Sequence, residues 1–440
     1  MSDLLERLAS KTQESEVYER SADVIEVSFV NGLVKGALAR ESSGVAIRGI
    51  VDGRLGFASA TDRTKGAQAK LVENLLASCK VGDVAGFSFP KKVAAPSGDL
   101  GSYDEATAKL GPQDLVRMGE RAIAMIKEKH PGIALDVDVS RSVISAQLEN
   151  SRGARFEDRG SSISIGIGFN RTRDEDVLLD GDGYSAVARS EAELDRAIAR
   201  IIEKLDFARK DVKLEKTGML PVYFSPGGAS LVWGPIFQGV NGKAVQTGTS
   251  PIREKLGQRI LDPRVRITDD GLAAHMLGSS PFDDEGVPRR KKALIEDGVL
   301  RSFVHDLKTA TATKQEPTGN GDRPGVLGQP GPGFTNLFIK PGTKSEKELL
   351  RSIDYGLYVE SVIGQGQGNT ISGAFSNTVN LAYVVEKGEV VGRVKDISVA
   401  GNSYEVLKDR LGELGAELDT SSGSSRVPAL LVSALSVVGK

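Results

Sequence analysis

Before residue 213 the chain spells the same order of elements twice: a helix, a run of antiparallel strands, a helix. In the first copy Leu4, Leu5 and Leu8 recur at helical spacing, and Val24, Glu26, Ser28 and Val30 lead into Asn31-Gly32, a hairpin-turn dipeptide. Val45 to Val51 reads as a further strand and Asp52-Gly53 as the next tight turn before Arg54 to Ala58. Gly66 to Lys80 reads as a helix with Leu71, Val72, Leu75 and Leu76 on one face. Residues 81–103 follow as a loop broken by Phe89-Pro90 and Ala95-Pro96-Ser97-Gly98. In the second copy a helix over Pro112 to Lys129 stops at Pro131-Gly132. Strands are expected over Ile133 to Asp138, Val143 to Leu148 and Ser162 to Phe169, with a polar turn at Asn150 to Gly153. Ser190 and Glu193 form a capping box for a helix through Ile198, Ile201, Ile202 and Leu205. The pattern predicts an α+β domain over residues 1–212, with residues 1–81 and 104–212 as halves that share element order, not residue identity.

From residue 213 the texture shifts to short strands with glycine turns at Asp297-Gly298, Pro341-Gly342 and Lys387-Gly388. Strands are predicted at Lys292 to Glu296, Leu300 to Val304, Asn336 to Lys340, Gly356 to Val362 and Asn380 to Val385. Two helices interrupt them, one capped by Ser345 with Glu348, the other by Asn402. The expectation is a β-rich, sandwich- or barrel-like domain over residues 213–440, divided from the first in the charged stretch Lys210 to Lys216. A chain of 440 residues is too long for one ordinary core, which agrees with such a division.

The net charge of −2 and the lack of a basic stripe argue against a nucleic-acid partner; Lys91-Lys92 and Arg289-Arg290-Lys291-Lys292 read as solvated faces. The single cysteine, Cys79, excludes an internal disulfide, fits a reducing, cytoplasmic setting and reads as a small buried apolar residue. The opening MSDLLERLASKTQESE lacks the basic start and apolar run of a signal peptide. The longest apolar stretch, Ala429 to Val438, is too short for a membrane helix, so no membrane partner is expected.

Chemistry, if present, would centre on Pro221 to Gly242: a short apolar strand, the break Pro226-Gly227-Gly228, an apolar segment and the turn Gly239-Val240-Asn241-Gly242. A strand-turn-helix of this kind is a place for a metal ligand pair, yet it holds no His or Glu. His130, His275 and His305 show no HExxH spacing. Asp283-Asp284-Glu285 offers three carboxylates for a hard cation, but without EF-hand spacing the plain reading is a turn of solvated acids. Gly364-Gln365-Gly366-Gln367-Gly368-Asn369 lacks the Lys-Ser/Thr of a phosphate loop. So many glycines suit the close approach of another backbone, such as an extended peptide. Arg323, in the turn Thr318 to Arg323, is a candidate for a peptide carboxylate.

Four blocks occur in one order between residues 278 and 402: GSSPFDDEGVPRRKKALIEDGVLRSFVHD, PTGNGDR, GFTNLFIKPG and GQGQGNTISGAFSNTVNLAYVVEKGEVVGRVKDISVAGN. By these blocks the chain resembles the TldD/PmbA family, also called modulators of DNA gyrase, over nearly its whole length. The resemblance implies more than the residues do. The family's catalytic branch, TldD, carries an HExxxH helix whose two histidines hold zinc with a later cysteine, while the glutamate activates water. Here the first His position falls on Trp233, the Glu position on Gly234 and the second His position on Gln238, and no cysteine follows Cys79. The resemblance is therefore to the PmbA/TldE branch. It implies a chain with no catalytic residue, metal or cofactor of its own, in the cytoplasm, with zinc in a TldD-like partner subunit. The pair, a heterodimer (or this chain with itself as a homodimer), would act on extended or unfolded peptides and in the maturation of peptide antibiotics. Two rival readings are a free-standing metallopeptidase using His275, His305 and Asp283-Asp284-Glu285, and a regulatory protein of the gyrase-modulator kind.

Overall fold

The computed structural model describes all residues except 1, 63, 97, 175, 367, 368 and 440. The N-terminal part holds strands β1 (Glu14–Val30), β2 (Leu33–Val51), β3 (Arg54–Ala60), β4 (Ala134–Asn150), β5 (Arg155–Arg173) and β6 (Asp176–Ala186). They form one antiparallel sheet in the order β3-β2-β1-β4-β5-β6. Helix Ser2–Ala9 precedes β1 and Lys65–Val81 follows β3; Pro112–Lys129 precedes β4 and Glu191–Phe207 follows β6. The order thus reads the same outwards from the β1/β4 pair in both directions. Both two-residue turns of the first half have positive φ at both central positions, Asn31 (53°) with Gly32 (78°) and Asp52 (49°) with Gly53 (73°). That geometry matches the twist of the flanking strands.

The two predicted strands Ile133 to Asp138 and Val143 to Leu148 are one continuous strand, β4. Arg141, which interrupts the apolar alternation, is held by the Asp23 carboxylate of β1 at 2.7 Å and by the Leu110 carbonyl. The β1–β4 ladder therefore runs unbroken from Glu16↔Asn150 to Phe29↔Val137. Leu300 to Val304 yields only the short strand Val299–Leu300; the Val304 carbonyl instead accepts from the Gly242 N–H.

The C-terminal part is organised on its last strand, Ser425–Gly439. It pairs with Leu337–Ile339, Gly218–Phe224, Ile397–Asn402 and Leu411–Asp419. A circuit runs from it through Gly218–Phe224, Tyr355–Val362, Ala374–Glu386 and Ile397–Asn402 and back, which closes a small barrel. The two parts share a core. Helices Pro112–Lys129 and Glu191–Phe207 bury Met118, Ile126, Ile198 and Leu205 in one cluster with Tyr223, Tyr358 and Tyr383 of the barrel. Those tyrosines pack edge to face, and the Tyr383 hydroxyl donates to the Lys204 carbonyl, 3.1 Å away. Cys79 is buried in the first half's own core, and burial raises its thiol pKa.

A second junction is ionic. Arg48 of β2 lies between Glu16 of β1 (2.8 Å) and Glu285 (2.6 Å), and Arg323 also bonds Glu16 while stacking on the Tyr18 ring at 4.5 Å. All four charged groups are buried. Asp283 and Glu285 of the acidic run are therefore not solvated acids. Asp283 accepts from the N–H groups of Glu285, Val287 and Gly321, and Glu285 from Leu307 N–H. Burial, together with the neighbouring Glu285 charge, pushes the Asp283 carboxyl up to about 7. Lys292 is likewise not a solvated cation; it is buried on Asp269 at 2.8 Å.

Candidate functional site

The segment Pro221 to Gly242 folds as the strand Gly218–Phe224, a turn, and the helix Ser230–Val240. The turn sits against the neighbouring strand: a Cβ on Gly228 would lie 2.5 Å from the Val359 carbonyl oxygen. The helix is strongly apolar, and Trp233, Ile236 and Val240 drive one side of it into the barrel core. Tyr404 closes over its last turn, where a side chain on Gly239 would meet the tyrosine hydroxyl at 2.3 Å.

The helix's other side is bare. Gly234 and Gln238, one turn apart, face a groove of about 630 Å³, and a Cβ on Gly234 would meet no atom within 4 Å. Gly364, Gln365, Gly366, Asn369 and Thr370 form the facing wall, and residues 374–378 the far side. Hydrogen bonds fasten this loop to the helix: Gln365 Nε2 donates to Ser230 Oγ at 2.8 Å, and the Thr370 hydroxyl donates to Gln238 Oε1 at 2.8 Å. Gly364 and Gly366 adopt the left-handed backbone, φ 72° and 83°, that other residues resist.

The strand Ala374–Glu386 gives the groove an open edge. It pairs with Tyr355–Val362 only as far as Val379, after which Thr378 C=O accepts from Ile363 N–H at 2.8 Å. Strand alternation turns the backbone groups of Ser376 to that same side, where none of the described strands continues. On the opposite side Ala374 to Thr378 pair with Ile397–Asn402.

None of the described residues lining this groove carries an ionisable side chain of the Asp, Glu, His, Lys, Arg, Cys or Tyr type. The groove offers hydrogen bonds and apolar surface but no group to relay a proton near neutral pH. Nor does it fit zinc: Gly234 has no ligand atom, the Gln238 oxygen is engaged by Thr370, and Trp233 is fully buried in the core.

The structure brings together Gly234, Gln238, Gly364, Gln365, Gly366 and Asn369. Gln367 and Gly368 lie outside the described residues. Arg323 is elsewhere, 3% exposed in the ionic junction, where it is not open to a ligand. His305 is buried with Nδ1 at 3.1 Å from the Thr309 hydroxyl, and burial holds its pKa down; His275 packs against Gly101. Among the described residues no three of His, Cys, Asp and Glu converge as a metal cage. Sequence reasoning missed Ser230, Thr370 and the open strand edge. The one available signal was the alternating Phe375-Ser376-Asn377-Thr378 directly after the glycine run.

The chain matches the family models described as PmbA/TldA metallopeptidase C-terminal domain over residues 217–439 and PmbA/TldA metallopeptidase domain 1 over residues 15–79. A metalloprotease TldD homolog of Buchnera aphidicola is 28% identical over 283 residues, 64% of this chain and 57% of that protein, so the match spans less than two thirds of its length. An uncharacterized Methanocaldococcus jannaschii protein is 27% identical over 379 residues, 84% of each chain. Among solved structures, TldE from Thermococcus kodakarensis superposes with a TM-score of 0.90 at 24% identity over 100% of both chains. A Thermotoga maritima protein described as a candidate modulator of a DNA gyrase gives 0.88 at 25% identity over 99% of each.

Proposed function

The chain belongs to the PmbA/TldD metallopeptidase family, and from that premise we propose that it is the non-catalytic, TldE-like subunit of a two-subunit cytoplasmic peptidase. In this reading zinc and the water-activating glutamate reside in a TldD-like partner, and this chain completes the chamber in which an extended peptide is held. The observation that carries the proposal is the bare helix face at Gly234 and Gln238: the groove lies where chemistry would be expected, and its described lining has no acid, base or metal ligand.

Its contribution is then to bind and orient. An extended peptide would lie along the groove, its backbone pairing with the open groups of Ser376 while the side-chain-free Gly364 and Gly366 let it approach closely. The Gln365 and Gln238 amides, already fixed by Ser230 and Thr370, would present hydrogen-bonding groups to the peptide backbone at little further entropic cost. Co-purification with an HExxxH-bearing homologue tests the subunit role, followed by zinc analysis and peptide cleavage by each chain alone and by the mixture. The expected result is cleavage only by the mixture. Stoichiometric zinc together with cleavage by this chain alone would overturn the proposal.

A further inference from the structure

β3 covers only part of the edge of β2. It pairs with Val45 to Val51, and none of the described strands takes up the edge from Lys35 to Ser43. The two-residue turn Asp52-Gly53 makes Val51 and Arg54 a hydrogen-bonded pair, so the odd-numbered residues of β2 aim their N–H and C=O groups at β3. The β1–β2 register is unbroken from Gly36 to Ile50. Ala37, Ala39, Glu41 and Ser43 therefore aim their backbone groups to the same open side, with Lys35 at the end of the row. Every residue from Leu33 to Ser43 is exposed, Leu38 by 55%. No proline interrupts the stretch, and its one bulge, opposite Ser28 and Phe29, lies at the far end. An open edge of this length carrying apolar side chains is a template for another strand.

The residues along the edge select which strand. Two copies set antiparallel about a two-fold axis at Leu38 bring Ala37 opposite Ala39 of the second copy, and Lys35 opposite Glu41 of the second copy. All four residues have outward backbone groups, so they occupy the hydrogen-bonded positions of the new ladder. The symmetry makes each contact twice, so a Lys35–Glu41 pair closes both ends. Neither residue has an ion-pair partner among the described residues of its own chain. At the axis Leu38 meets its own copy in a non-hydrogen-bonded pair, where side chains lie closest. Arg40 lies across from Gly36, where even a Cβ would meet no atom within 4 Å. Moving the axis by one residue either way sets Lys35 against Ala39 or Ser43 and Glu41 against Leu33 or Ala37, and the charge match is lost. The paired stretch ends before Val45, where β3 takes over the edge.

We propose that two copies of this chain associate through the edge from Lys35 to Glu41, which joins their six-stranded sheets into one across a two-fold axis. The proposal rests neither on the peptide groove nor on the subunit role. Sedimentation velocity of the full chain over a dilution series tests it. The expected result is a monomer–dimer equilibrium that weakens with salt, because its end pairs are exposed ions. Glu41→Lys sets like charges opposite each other and should raise the dissociation constant on the order of tenfold. The double variant Lys35→Glu with Glu41→Lys should restore the dimer, which damage to the fold would not do. Ala39→Pro removes an outward N–H without touching the β1–β2 ladder and should leave a monomer. A parent chain that stays monomeric at its highest soluble concentration, or a dimer unchanged by Glu41→Lys and Ala39→Pro, overturns the proposal. So does loss of co-purification with the HExxxH-bearing homologue in these variants while self-association persists, which would give the edge to that partner instead.

Discussion

Two buried clusters of charge in this molecule are built from the same residue types and are finished differently. In the junction around Arg48 every carboxylate oxygen of Glu16 and Glu285 has a donor, from Arg48, Arg323 or the Leu307 N–H. Around Lys204 and Arg200, in the helix Glu191–Phe207, two cations satisfy Asp180 and Asp182 and leave Glu360 one oxygen short. The first arrangement leaves no carboxylate oxygen unserved, although Arg323 Nη1 has no partner, and it joins the two parts of the chain. The second seals an unserved acceptor inside the protein. Buried charge is therefore not one signal: the census of donors around each oxygen separates carboxylates that are fully served from one that is left short.

Four measurements would break or sharpen that contrast. Arg48→Ala leaves Glu16 and Glu285 buried without their shared cation and should cost about 3–5 kcal/mol in urea unfolding. A loss below about 1 kcal/mol would mean that the junction is not a clamp. Next comes pH. Asp283 has a folded-state pKa of about 7, above its unfolded value, so between pH 4 and 7 the folded chain holds a proton that the unfolded chain releases. Its contribution to stability is present at low pH and is lost as pH rises towards 7. The stability of the parent relative to Asp283→Asn, followed by thermal melts, should therefore decline across that window; a flat difference would contradict it. Glu360→Gln should change stability by less than about 1 kcal/mol, because Arg200 and Lys204 keep their aspartates. Last, Gly234→Ala places a methyl in open space on a helix and should stabilise the chain by about 0.5–1 kcal/mol, read as a raised melting temperature.

Local signals were legible in the sequence because they are written within a few residues. Asn31-Gly32, Asp52-Gly53, the Ser345–Glu348 capping box and the Asn402 cap all appear where their residue types require them. The α+β character and the β-rich C-terminal part follow from them. The barrel's closure was not legible, since it rests on pairings between strands far apart in sequence, such as Gly218–Phe224 with Ser425–Gly439. The same limit applies to the sites. Gly234 and Gln238 drew notice through a family pattern, while their opposite wall is 130 residues away in the chain. Arg323 looked available because its loop is polar and glycine-rich, yet Glu16, more than 300 residues earlier, buries it. Glycine at alternate positions 166/168 and 181/183 was a readable trace, but that they form two cross-strand pairs on one face needs the register of two strands.

The strand Ser425–Gly439 closes the barrel, and four other strands depend on it. Until it arrives, Gly218–Phe224 and Ile397–Asn402 each present an unsatisfied edge. Closure of the C-terminal half therefore waits on a pairing such as Phe224 with Leu430 across roughly 200 residues, a long-range contact that makes folding slow and leaves strand edges open to aggregation in the interval.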